Sequence, residues 1–136
     1  DRNESADRAE VHGNLYGTPL APVLEAQRAG RDILFDIDVQ GAAQLHLSLP
    51  SAHFVFILPP SMEELERRLR GRGTDTDEVI RVRLADARQE IREARWFDSL
   101  ILNDDLDRAY QDLRAAYLQA TLAPKLHTAL LDSLLF

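Results

Sequence analysis

Apolar residues gather in three short runs: Ile33-Leu34-Phe35-Asp36-Ile37, His53-Phe54-Val55-Phe56-Ile57-Leu58 and Ser99-Leu100-Ile101-Leu102. Each is closed by turn-forming or polar residues, Asp38-Val39-Gln40-Gly41, Pro59-Pro60 and Asn103-Asp104-Asp105 respectively. Short apolar runs without a helical period, bounded in this way, predict buried strands. The segments around them carry helical spacing. Pro19 to Ala29 has Thr18 as its expected N-cap, Pro19 at the first position and Gly30 just past the end. Gln40 to Leu49 is a short helix stopped by Pro50. Ser61-Met62-Glu63-Glu64 has capping-box spacing and starts a helix that runs to about Leu69.

After Gly71-Arg72-Gly73, Thr74 or Thr76 caps a long helix on which Ile80, Leu84, Ala87, Ile91 and Ala94 recur on one side. Helices at Leu106 to Leu122 and Pro124 to Leu135 follow the third run, the last with Leu126, Leu130 and Leu134 on one face. Strand and helix thus alternate, which predicts an α/β fold with a parallel sheet and flanking helices. Ahead of this series, Asp1 to Arg8 is polar and without period, and Ala9 to Pro19 reads as turns and hairpin-like pieces with Tyr16 and Thr18 on a compact loop.

Composition narrows the class. The 136 residues are 45% hydrophobic, enough for one domain with a core. A net charge of −7 disfavours non-specific nucleic-acid binding through a basic field. There is no cysteine, so thiolate metal sites are excluded and a cytoplasmic setting is expected. No apolar run is long enough to suggest a membrane span. The sole methionine is Met62, so Asp1 is not a translation start: the chain is expected to begin inside a longer product, to follow processing, or to omit residues. The sole lysine is Lys125, and no G-x-x-x-x-G-K-[ST] loop occurs.

Three groups of residues could carry chemistry. Tyr16 and Thr18 supply hydroxyls that can donate to phosphate oxygens or a purine edge. Asp36 and Asp38 stand at the end of the first apolar run, where ligands bind in open α/β sheets. One carboxylate there could order magnesium or its waters, and the other could accept from a guanine amino group; both could equally cap the turn. Arg67, Arg68, Arg70, Arg72, Arg81 and Arg83 flank a glycine loop. Most of them read as a solvated helix face with pairs such as Glu63 to Arg67 and Glu64 to Arg68. Arg72, between two glycines, reads instead as a hinged phosphate clamp. The four histidines show no metal-ligand spacing, and Trp96 and Phe97 read as packing residues.

These segments together resemble the guanylate kinase family of the bacterial type. The resemblance is carried in order by Glu10 to Thr18, Phe35 to Gly41, Ile57 to Ser61, Arg68 to Thr74 and Asn103 to Asp105, and it extends from about Ala9 to the C-terminus. It implies transfer of the ATP γ-phosphoryl group to GMP, giving ADP and GDP with Mg2+. Tyr16 would bind the GMP phosphate, Thr18 and Asp38 the guanine, and Asp36 would support the magnesium, through water rather than as a direct ligand. Arg72, Arg83 and Arg68 would clamp phosphates, and Asn103 would lie near the adenine. The implied fold is a P-loop nucleotide kinase without its N-terminal strands. In it, residues 1–18 form the remainder of the GMP-binding region, 19–60 and 96–136 the core, and 61–95 the lid.

Two departures accompany the resemblance. The family's first strand and P-loop have no counterpart in these residues, so residues 1–136 alone are expected to be inactive and to expose apolar sheet edges. Asp7 aligns with a family glutamate that reads guanine, one methylene shorter, among the changed neighbours Ser5, Ala6 and Arg8; either the site is altered or the N-terminal register is broken. The alternative of another class is a non-catalytic guanylate-kinase-like module that binds a protein partner.

Overall fold

A computed structural model describes the backbone of residues 5–11 and 14–136, and the side chains from Ala21 onward. The chain divides into two compact units, residues 1–52 and 53–136.

In the first unit, strands β1 (Ser5–Val11) and β2 (Asn14–Pro19) form an antiparallel hairpin. The connecting residues His12 and Gly13 lie outside the described part. Its register pairs Asp7 with Thr18 and Ala9 with Tyr16, and it slips by one position between Ser5 and Asp7, the mark of a bulge. This corrects two expectations. Ser5 to Arg8 belong to a strand despite their polar composition, because ladder hydrogen bonds need no apolar side chain. Tyr16 and Thr18 are strand residues rather than loop residues, since pairing continues as far as Pro19.

Helix α1 (Leu20–Arg28) accordingly begins after Pro19, with Thr18 in β2 and not at the position next to the helix. The turn after it is made at Gly30, whose φ of 72° is a left-handed conformation that glycine adopts without a steric penalty. Helix α2 (Val39–Ser48) lies against β1 and buries Gly41, Ala42 and Leu45. Between these helices, residues 31–38 form no strand. The run Ile33 to Ile37 was expected to be one, but a strand exists only where its N–H and C=O groups meet a neighbour, and no ladder partner occurs among the described residues. Leu34 is 86% exposed.

The second unit realises the predicted alternation closely. Strands β3 (Val55–Leu58) and β4 (Ser99–Leu102) pair in parallel, Val55 opposite Ser99 through Leu58 opposite Leu102. Helices α3 (Met62–Gly71) and α4 (Asp77–Glu93) lie between them in sequence and pack on each other. Helix α5 (Leu106–Thr121) packs on β4, and α6 (Thr128–Leu135) ends the chain after a turn of 3-10 helix at Pro124–Leu126.

Phe54, Leu69, Ile80, Ala94, Ile101, Ala109 and Ala116 make the core of this unit. At the N-terminal end of the sheet, Phe54 meets Trp96 and Phe97 edge-on at 5.4 and 6.2 Å, and Phe56 meets Phe97 at 5.1 Å. The two aromatic residues after α4 are therefore packing groups, as their position predicted. The other face of β4 is open: Leu100 and Leu102, on either side of buried Ile101, are 56% and 51% exposed.

Candidate functional site

In the first unit Asp36 and Asp38 stand at the entry to α2. Asp38 is the N-cap: its backbone is extended, and its carboxylate accepts from the Gly41 N–H at 2.8 Å. One carboxylate oxygen is thus used locally, and the exposed side chain has its other oxygen for a donor from a ligand. Asp36 is exposed on the extended segment just before the cap. No group of three or more His, Cys, Asp or Glu among the described residues could hold a metal directly. A lone exposed carboxylate does suit magnesium, which keeps several waters and takes one or two carboxylates together with substrate phosphates. Asp7, Tyr16 and Thr18 are described only through their backbone. The hairpin register sets Asp7 opposite Thr18, with Tyr16 two positions before Thr18 on β2.

The second unit holds the arginines, and its contacts sort them. Ser61 caps α3 through the Glu64 N–H at 3.0 Å. The Glu64 carboxylate does not reach back to complete a capping box; it accepts from Arg67 Nε at 2.7 Å and from Arg68 Nε at 3.0 Å. The Arg67 hydrogen bonds, opposed by some desolvation and helped by Arg68, lower the Glu64 pKa from 4.5 to about 2. The expected pair of Glu63 with Arg67 is replaced by this shared acceptor.

Arg70 bonds Asp77 at 2.6 Å and Glu66 at 3.0 Å, and these partners raise its pKa. Arg81 pairs with Glu78 one turn away. A groove of about 630 Å³ along α3 and α4 is lined by Glu66, Asp77 and Glu78 as well as Arg70, Arg81 and Arg88, so opposite charges cancel and it offers an anion little. Arg67, Arg70 and Arg81 thus have the paired, solvated role their helical spacing suggested.

Arg68 behaves differently. Besides Glu64 it donates from Nη1 to the backbone carbonyl of Asn103 at 2.8 Å, while the Asn103 N–H donates to Leu58 O at 2.7 Å. The chain leaving β4 is thereby held from both sides. In this conformation Arg68 fixes the Asn103 backbone, and meeting a phosphate would require it to release that carbonyl.

Arg72 is exposed at the C-cap of α3, with helical backbone angles. The helix runs through Gly71, two residues past the expected end near Leu69, and Gly73, with φ 66°, makes the left-handed turn that follows it. A side chain there would meet no steric obstacle but would strain the backbone. Three residues later Thr76 caps α4 through the Val79 N–H at 3.3 Å. Arg83, on the second turn of α4, is half exposed, and its Nε lies 3.4 Å from Asp75 Oδ2. This partner was missed in the sequence, because it lies in the loop and not at helical spacing from Arg83. Arg72 stands at the Gly73 turn, and Arg83 is ion-paired with the Asp75 carboxylate of the loop that follows that turn.

Comparisons with known proteins place the fold and the family. A crystal structure of guanylate kinase from Anaplasma phagocytophilum matches the fold with a TM-score of 0.72 and 28% identity, over 93% of this chain and 64% of that one. The fold class is therefore that of the α/β P-loop nucleotide kinases, in the part of it that these residues cover. The guanylate kinase family model matches residues 1–120. Relatives named guanylate kinase are 61% identical in Nitratidesulfovibrio vulgaris and 58% identical in Lawsonia intracellularis, each over 130 residues and 96% of this chain. The chain belongs to the guanylate kinase family. It spans 63% and 61% of the length of those two relatives.

Proposed function

We propose that the protein containing this chain transfers the γ-phosphoryl group of ATP to GMP. A GMP phosphate oxygen attacks the γ-phosphorus, the bond to the β,γ-bridging oxygen breaks, and ADP and GDP leave. What supports this reading is Arg72, exposed at the end of α3 beside the Gly73 turn, and half-exposed Arg83, ion-paired only with Asp75 of the following loop, in a member of this family. Phosphoryl transfer asks the protein mainly for positioning and for neutralising charge on equatorial oxygens, and guanidinium groups supply both.

The other assignments follow from the family likeness. Tyr16 holds the GMP phosphate. Thr18, Asp38 and Asp7 read the guanine, a carboxylate accepting from the amino group that adenine lacks at that position. Asn103 lies by the adenine, and Arg68 serves that side through its hold on the Asn103 backbone. Magnesium, brought with ATP, would neutralise the β- and γ-phosphates, and Asp36 would hold it through water.

The regions are assigned on the same basis: 1–18 to the GMP-binding part, 61–95 to the lid and the remainder to the core. In this reading the phosphate-cradling loop comes from residues outside 1–136, and the reaction takes place in the cytoplasm.

Replacing Arg72 tests the reading. In the full-length polypeptide Arg72→Ala lowers kcat for GDP formation by roughly 10³-fold with an unchanged melting temperature. Residues 1–136 alone form no GDP. An Arg72→Ala enzyme within a few-fold of the parent would refute the assignment. Calorimetry that finds no preference of the full-length protein for GMP over AMP would favour a protein-binding module instead.

A further inference from the structure

Arg83 is held in a way that its neighbours are not. Arg67 and Arg70 place their Nη groups on carboxylates, Arg67 on Glu64 and Arg70 on Asp77 and Glu66. Arg83 meets Asp75 through Nε, at 3.4 Å. Among the described residues its two Nη groups have no hydrogen-bond partner. The partners also differ in setting: the Asp75 side chain is 14% exposed and that of Arg83 is 50% exposed. Asp75 is the seated end of the pair, in the loop between Gly73 and the Thr76 cap, and Arg83 is the presented end.

A guanidinium is a planar fork, and a carboxylate whose nearest approach is to Nε leaves the two Nη groups for another partner. The Nη edge is the one able to grip two oxygens of a phosphoryl group at once. We propose that Asp75 is a positioning residue of the phosphoryl-transfer site, holding Arg83 by an ion pair on its Nε side so that the Nη edge is kept for the transferred group. The inference rests on the reading of Arg83 as a phosphate clamp. It assigns Asp75 no contact with substrate.

Orientation and simple charge predict opposite results for Asp75→Asn. As a mere negative charge near the phosphates, Asp75 would oppose ATP, and its loss would lower the KM for ATP with kcat kept. As an orienting group, its loss lowers kcat while the KM for GMP stays unchanged.

The test is steady-state kinetics on the full-length polypeptide with Asp75→Asn, Asp75→Glu, Arg83→Gln and the Asp75→Asn/Arg83→Gln double variant, with melting temperatures measured alongside. Asp75→Asn is expected to lower kcat about tenfold and Arg83→Gln about a hundredfold or more, the double variant being no worse than Arg83→Gln alone. Asp75→Glu keeps the charge but displaces it by one methylene; it should lose only a few-fold and, if Asp75→Asn does not fold, it carries the test.

The proposal is overturned if Asp75→Asn, or Asp75→Glu in its place, has the parent kcat while Arg83→Gln is impaired. It is equally overturned if the loss from Asp75→Asn persists undiminished on top of Arg83→Gln. Parent-like turnover by Arg83→Gln would remove the clamp reading itself, and this inference with it.

Discussion

Residues 33–38 and residues 99–105 are built alike. Each begins with an apolar run and passes through polar residues to an aspartate that caps a helix, Asp38 on Gly41 N–H and Asp105 on Arg108 N–H, both at 2.8 Å. One run is a strand and the other is not. Ser99–Leu102 has Val55–Leu58 beside it, whereas Ile33 to Ile37 has no ladder partner among the described residues. The cap is the same in both because it is made within four residues. The strand differs because it depends on a segment far away in sequence.

The sharpest test of that contrast is to truncate an apolar side chain in each run and follow urea unfolding of residues 1–136. Ile101→Ala, at a side chain 2% exposed, is expected to cost about 2–5 kcal/mol. Leu34→Ala, at one 86% exposed, should stay within about 0.5 kcal/mol. Equal costs would mean that the first run is packed after all, and the contrast would fail.

The caps should not discriminate. Asp38→Ala and Asp105→Ala are each expected to lose about 1 kcal/mol in the same unfolding experiment. A much larger loss at one of them would show that its carboxylate does more than hold its own helix.

The smallest effect concerns α3, whose contacts are as local as the caps. Glu64 has its pKa lowered to about 2 in the folded chain from an ordinary 4.5. Its contribution is therefore complete above pH 4.5 and is lost as the pH falls through 2. Glu64→Gln should lower the melting temperature slightly at pH 7 and remove an equally small fall across that window, since a solvent-screened pair contributes little. A steep loss at neutral pH would contradict this.

What was legible in the sequence follows the same division between local and distant. Ser61, Thr76 and Asp105 announce their helices because a short side chain must satisfy an N–H two or three residues on. The family was legible in five short motifs in order. Thr18 and Pro19 misled, because a good capping pair can also end a hairpin strand when the partner strand extends far enough. Ile33 to Ile37 misled because an apolar pattern reports a wish for burial and not the presence of a neighbour. The hold of Asp75 on Arg83 and of Arg68 on Asn103 could not be read, because each joins residues whose distance is set by the folding of a loop or by strand order.

The bond from Arg68 to Asn103 has a consequence for mutational tolerance. Its acceptor is a peptide oxygen, which every amino acid carries. Exchanging the side chain at 103 therefore leaves this tether in place, whereas even a shift from arginine to lysine at 68 shortens the reach and removes the fork that spans Glu64 and the carbonyl. In a saturation library, position 103 should vary under pressure for its own contacts alone, while position 68 should accept almost no substitute.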